Sequence, residues 1–334
     1  MNIDCFAAQE AKAPLEKFSY PSRNPGSWDV EINISHCGIC HSDAHLVDND
    51  WGISQYPMVP GHEIVGTVSG MGSSVKHLKT GQRVGIGWQC SACMTCEWCI
   101  SGKENLCPEI GGTCLGNFGG FAKAIVVDSR FAFALPDVLE SENAAPLLCG
   151  GITVFAPLIH FDIRPSMKVG VIGVGGLGHL ALQFYKAWGC EVTAFTNTPG
   201  KEKEAKDFGA HQVFNSKDPE VLKANAATQD FIISTVPADL DWGSYLDVLR
   251  PEGKLCMVGV PQSAISIPAF PLIASRKTVC GSPIGGRGDI ETMLAFAARH
   301  GVKAQTESFA MNEVNPAMDR VRNNEARYRV VLKN

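Results

Sequence analysis

Residues 168–189 read KVGVIGVGGLGHLALQFYKAWG, and this stretch constrains the fold more than any other in the chain. An apolar, β-branched run leads straight into Gly173, Gly175 and Gly178, spaced G-x-G-x-x-G, and an amphipathic run comes next. A strand, a glycine turn and a helix in that order form the first unit of a dinucleotide-binding βαβ fold. Gly173 supplies the tight turn, Gly175 lets backbone approach a pyrophosphate, and Gly178 lets helix and strand pack closely. The free N–H groups and dipole at the helix start favour an anion.

The chain beyond this unit keeps the same rhythm. EVTAFT (191–196), QVFN (212–215), FIISTV (231–236) and KLCMVGV (254–260) read as buried strands. They alternate with helix-length segments such as KEKEAKDFG (201–209) and WGSYLDVL (242–249), which predicts a parallel sheet. KTVCGSPIG (277–285) reads as the last strand, IETMLAFAARH (290–300) as a helix and RYRVVLK (327–333) as a strand that rejoins the first half. The first half is different: DVEINIS, EIVGTVSG, QRVGIGW and FAKAIVV are short strands with turns between them. The expected organisation is an α/β chain in which a nucleotide-binding domain, 150–285, interrupts a mainly β domain, 1–149 and 286–334.

The end of the strand after the turn discriminates between dinucleotides. An NAD site places Asp or Glu there for the ribose 2′-hydroxyl. This chain has AFTNTPGK instead, with Thr196, Asn197, Thr198 and Lys201. Neutral hydrogen-bonding groups and a lysine suit a 2′-phosphate, so NADP(H) is the expected coenzyme.

The chain has 334 residues, a net charge of -5 and 13 cysteines. The charge leaves no basic footprint for nucleic acid or an anionic membrane. No apolar run approaches the roughly 18 residues of a membrane span. The start, MNIDCFAAQEAKAPLEKFSY, lacks the basic and apolar regions of a signal peptide, so the expected location is cytoplasmic. In a reducing compartment, clustered cysteines read as metal ligands rather than disulfides.

Two metal sets emerge. Cys93, Cys96, Cys99 and Cys107, within a lobe at about 90–107, fit a closed Cys₄ zinc site that holds structure together. Cys90 competes on spacing alone. The second set involves CGICHSDAH (37–45), which opens with C-x-x-C-H, a haem-attachment pattern that the missing export signal disfavours. A catalytic zinc needs three protein ligands and an open position, and Cys40, His62 and Cys149 supply a Cys₂His set. Cys37 reads as a buried small apolar residue.

Taken together, CGICHSDAH, YPMVPGHEIVG, the four-cysteine lobe, PLLCGGITVF, GVGGLGHLA and RYRVV resemble the zinc-dependent medium-chain alcohol dehydrogenases. The resemblance is greatest to the cinnamyl-alcohol-dehydrogenase-type branch, which includes bacterial NADPH-dependent aldehyde reductases. It implies a GroES-like catalytic domain plus a Rossmann, doubly wound parallel sheet, with two zinc ions per chain and NADP(H). By the same resemblance Cys40, His62 and Cys149 hold the catalytic zinc with Glu63 beside it. Asp43 orients His62, Ser42 takes the substrate's proton, and His45 is the outer relay. His41, Gly176, Leu177 and Ile284 join the glycines and residues 196–201 around the coenzyme, and Trp51 and Trp88 line the substrate pocket. The implied activity is hydride transfer between NADP(H) and a primary alcohol or aldehyde in a homodimer or homotetramer. The rivals are an NAD(H)-dependent polyol or formaldehyde dehydrogenase of the same superfamily and, more distantly, a non-enzymatic zinc- or nucleotide-binding protein. One departure stands out: the branch often carries serines where this chain has TNTPG.

Overall fold

The computed structural model describes every residue except Met1 and Pro199. The chain divides into two compact units, Met1–Ile152 with Ile284–Asn334, and Thr153–Pro283. The return to the first unit falls at Ile284, whose carbonyl accepts from the Asn105 side chain at 2.7 Å.

The second unit is a six-stranded parallel sheet. Its strands, in spatial order, are Gln212–Asn215, Glu191–Thr196, Lys168–Ile172, Gln229–Ser234, Leu249–Met257 and Thr278–Gly281. Numbered by chain position this is 3-2-1-4-5-6, the doubly wound order, in which ligands sit beyond the strands' carboxyl ends where the order reverses. The reversal falls beside Lys168–Ile172, the strand that feeds the glycine turn. Its central strands are apolar on both faces, as a sheet covered on both sides requires. Ile172, Phe195, Ile232 and Leu255 pack against Trp242, Tyr245 and Leu246.

In the first unit a seven-stranded sheet is centred on Asp29–Ile39. That strand pairs antiparallel with Glu63–Met71, with Ala124–Asp128 and with the C-terminal strand Arg329–Lys333. The register sets Gly38 opposite Glu63, and Ile39 opposite Val330. Residues from three distant parts of the chain therefore meet at the end of one strand, directly before Cys40. Helix His41–Asp48 starts there. The core beneath includes Ile32, Ile39, Val47, Ile64, Ile86, Phe121 and Val330. The N-terminal hairpin Asn2–Ala7 with Glu16–Pro21, and the edge strand Thr306–Ala310, carry no strong sequence signal.

No single helix among the described residues is long and apolar enough to cross a membrane.

Candidate active site

Cys40 is the N-cap of helix His41–Asp48. The helix's third residue, Asp43, turns back and accepts from the Cys40 N–H through Oδ2 at 2.8 Å, satisfying a donor the helix start would otherwise leave bare. Its other oxygen, Oδ1, accepts from the Gly61 N–H at 2.9 Å and from His62 Nδ1 at 3.0 Å. Asp43 is fully buried, so one carboxylate fixes the positions of Cys40 and of His62 together.

With Nδ1 committed to Asp43, His62 presents Nε2, which is buried and has no hydrogen-bond partner. One ligand atom each from Cys40, His62, Glu63 and Cys149 lie within 4.8 Å of one another. Cys149 arrives from the turn after the short helical segment Ala145–Leu148. An orphaned imidazole nitrogen facing two sulfurs is a donor set that fits a soft-to-borderline divalent cation.

The electrostatics agree. The Cys40 thiol is held well below its ordinary range, chiefly by the Cys149 thiol facing it, and Cys149 is raised for the same reason. Burial opposes charge on His62, yet Asp43 and Cys149 outweigh it and push the imidazole up. The cavity thus stabilises positive charge. Burial raises Glu63 to about 7 against the pull of Arg329. Arg329 donates to Glu63 Oε1, both side chains being buried, while Oε2 has no partner. The Glu63 side chain lies over Gly38, where an added Cβ would come within 2.0 Å of Glu63 Oε2. Sequence reasoning missed Arg329; a buried arginine at the head of the strand Arg329–Lys333, directly before Val330, Val331 and Leu332, was the available signal. It also missed Cys114, whose buried sulfur lies 3.9 Å from His62 Nδ1.

The remaining residues of the stretch lie close by. The Cys40 thiol donates to Ser42 Oγ at 3.7 Å. His45 is partly exposed, and its Nδ1 pairs with Asp50 Oδ2 at 2.7 Å. His45 stacks beside Trp51 at 5.3 Å, and Trp88 meets His62 edge-on at 4.9 Å. His41 opens the helix and is exposed. Cys37 is fully buried in the core.

In the lobe, sulfurs of Cys93, Cys96, Cys99 and Cys107 lie within 4.8 Å of one another. Backbone N–H groups of Thr95 and Cys96 donate to Cys93 Sγ and bring its thiol down to about 6. The Glu109 N–H donates to Cys107 Sγ at 3.3 Å. Cys90 stands apart, donating to the Gly112 carbonyl at 3.5 Å. The four-sulfur group includes Cys107 and not Cys90.

In the second unit Gly173 has φ +88°, and a Cβ on Gly178 would lie 1.9 Å from the Gly173 carbonyl oxygen. A Cβ on Gly175 meets nothing within 4 Å, so the turn is open on that side. Helix Gly178–Trp188, preceded by Gly176 and Leu177, has no side-chain cap on its first N–H groups. Beyond Thr196, Thr198 N–H donates to Thr196 Oγ1 at 3.3 Å, and Thr198 Oγ1 donates to Asn197 Oδ1 at 3.4 Å. Lys201 Nζ donates to the Val174 carbonyl at 2.6 Å, inside the glycine turn.

This combination of fold and side chains has close counterparts among known proteins. Residues 26–137 match the family of alcohol dehydrogenase GroES-like domains, and residues 176–299 match that of zinc-binding dehydrogenases. The aldehyde reductase AdhA of Synechocystis sp. is 44% identical, over 99% of this chain and 98% of the relative. The structure of a Sorghum bicolor cinnamyl alcohol dehydrogenase superposes with a TM-score of 0.96 at 39% identity, covering 100% and 98% of the two chains. A Helicobacter pylori cinnamyl alcohol dehydrogenase complexed with NADP(H) gives 0.92 at 32% identity, covering 100% and 98%. Fold and relatives define an oxidoreductase of alcohols and aldehydes. The chain belongs to the medium-chain, zinc-binding alcohol dehydrogenases, in their cinnamyl-alcohol-dehydrogenase-type branch.

Proposed function

We propose that this enzyme is a zinc-dependent, NADP(H)-using aldehyde reductase that interconverts aromatic or aliphatic aldehydes and primary alcohols. The observation that carries the reading is the buried, unpartnered Nε2 of His62 facing Cys40 and Cys149. Cys40, His62 and Cys149 would hold the catalytic zinc, with Glu63 as a neighbouring carboxylate. The lobe's four cysteines would hold a second, structural zinc.

When bound, the catalytic zinc would supply Lewis-acid polarisation of the carbonyl oxygen. The chain's own residues do the rest. Asp43 keeps His62 in the tautomer that presents Nε2. Ser42 would carry the proton exchanged at the substrate oxygen, and the partly exposed His45 would pass it to solvent. Trp51 and Trp88 would offer aromatic walls to the substrate. The glycine turn and the uncapped start of helix Gly178–Trp188 would take the diphosphate. Thr196, Asn197, Thr198 and Lys201, with no carboxylate among them, would take a 2′-phosphate. The relative from Helicobacter pylori is complexed with NADP(H), which supports this choice. A homodimer or homotetramer is the expected assembly.

The test is a panel of aromatic and aliphatic aldehydes with NADPH and NADH, run on wild type and on Cys149→Ala. We expect NADPH oxidation with several aldehydes, and its near-total loss with the catalytic zinc in the variant. Substantial turnover by Cys149→Ala, or tighter binding of NADH than of NADPH, would overturn the metal or the coenzyme assignment respectively.

A further inference from the structure

Cys256 and Cys280 lie in the second unit, outside both ligand clusters. They are register partners on the adjacent parallel strands Leu249–Met257 and Thr278–Gly281. Neighbouring strands run about 4.8 Å apart, within the roughly 4.4–6.8 Å between Cα atoms that a disulfide spans. Register partners also present their side chains to the same face. Cys256 is fully buried, whereas Cys280 stands on the outermost strand of the sheet and is half-buried.

The two thiols interact. Cys256 is raised by the neighbouring Cys280 thiol and by its own burial. Cys280, whose Sγ donates to the Leu255 carbonyl at 3.6 Å, is lowered by the facing Cys256, with the Lys254 ammonium adding to it. Cys5, Cys37, Cys90, Cys114 and Cys190 are all buried and pushed upward instead, so they stay inert thiols. Electrostatically coupled to both sulfurs is the Tyr185 hydroxyl, which is buried and has no hydrogen-bond partner.

We propose that Cys256 and Cys280 form an oxidation site that hydrogen peroxide converts to an intrachain disulfide. The Cys280 thiolate attacks one peroxide oxygen, the O–O bond breaks, and hydroxide leaves, giving a sulfenic acid. The Cys256 sulfur then attacks the Cys280 sulfur. The S–O bond of Cys280 breaks, and the departing oxygen leaves as water with the Cys256 proton. Two thiols are oxidised by two electrons, and one peroxide is reduced to two waters. The new bond ties the sheet's edge strand to its neighbour, and an excess of a small dithiol reverses it.

Trypsin places each cysteine alone in its own peptide, Leu255–Arg276 and Thr278–Arg287. The zinc-loaded full chain is treated with a molar excess of hydrogen peroxide, alkylated with iodoacetamide, digested and weighed. The expected product is the two peptides joined, lighter by two hydrogens than their sum, and separated again by dithiothreitol. It should form in folded protein and be lost in guanidinium. Recovery of both peptides singly after peroxide, or a cross-link that forms equally well in guanidinium, would overturn the proposal. Cys280→Ala, at a half-exposed edge position, should leave Cys256 fully alkylatable. Oxidation of Cys256 at the wild-type rate in that variant would overturn the role of Cys280.

Discussion

The ammonium of Lys201 donates to the carbonyl of Val174 at 2.6 Å, so a side chain from beyond the second strand reaches into the glycine turn after the first. A positive charge is held there before any coenzyme arrives, and Thr196 to Lys201 include no carboxylate to cancel it.

Lys201→Gln should therefore weaken NADPH binding and spare NADH. A hydrogen bond to a charged group contributes about 1.5–3 kcal/mol, which corresponds to roughly 10–100-fold in Kd. Fluorescence titration with both coenzymes measures this. Equal weakening of the two would assign Lys201 to shaping the turn rather than reading the phosphate.

Asp43 joins Cys40, Gly61 and His62 through its two oxygens. Removing the partner that orients a metal-binding histidine lowers metal affinity by about 10–100-fold. Asp43→Asn should show that loss in a chelator competition monitored by zinc release, with the zinc of the lobe unaffected. Unchanged release of the catalytic zinc would mean that the backbone alone positions His62.

Arg329 and Glu63, 266 positions apart in the chain, form a buried ion pair. Breaking such a pair leaves one charge uncompensated, at about 3–5 kcal/mol. Arg329→Met should lower unfolding stability by that order in denaturant titrations, and adding Glu63→Gln should restore much of it. Additive losses in the double variant would show that the two side chains act separately.

Glu142 is the carboxylate to watch in acid. Burial raises it, but Lys333, Ser308 and Thr306 outweigh burial and bring it from 4.5 to about 2. A carboxylate depressed on folding stabilises the native state above its unfolded value and loses that contribution as pH falls towards the folded one. With the side chain 30% exposed, screening reduces the effect to about 1–2 kcal/mol. Glu142→Gln should be less stable than wild type by that amount at pH 7. The gap should close between pH 4.5 and 2. A gap independent of pH would point to packing rather than charge.

What the sequence determined by itself is local in origin. The glycine turn, the strand–helix alternation and the four-cysteine lobe each arise from backbone periodicity or ligand spacing within about 20 residues. Short elements without such signals were illegible: the hairpin Asn2–Ala7 with Glu16–Pro21 and the strand Thr306–Ala310 exist because neighbouring strands offer them partners. Only the tertiary structure decided which side chains meet. Sheet pairing sets Glu63 opposite Gly38 and Val330 opposite Ile39, and so delivers Arg329 to Glu63 beside Cys40. It separates Cys90 from Cys107, and it sets Cys256 beside Cys280. Strand register couples residues hundreds of positions apart, and no spacing rule along the chain encodes that coupling.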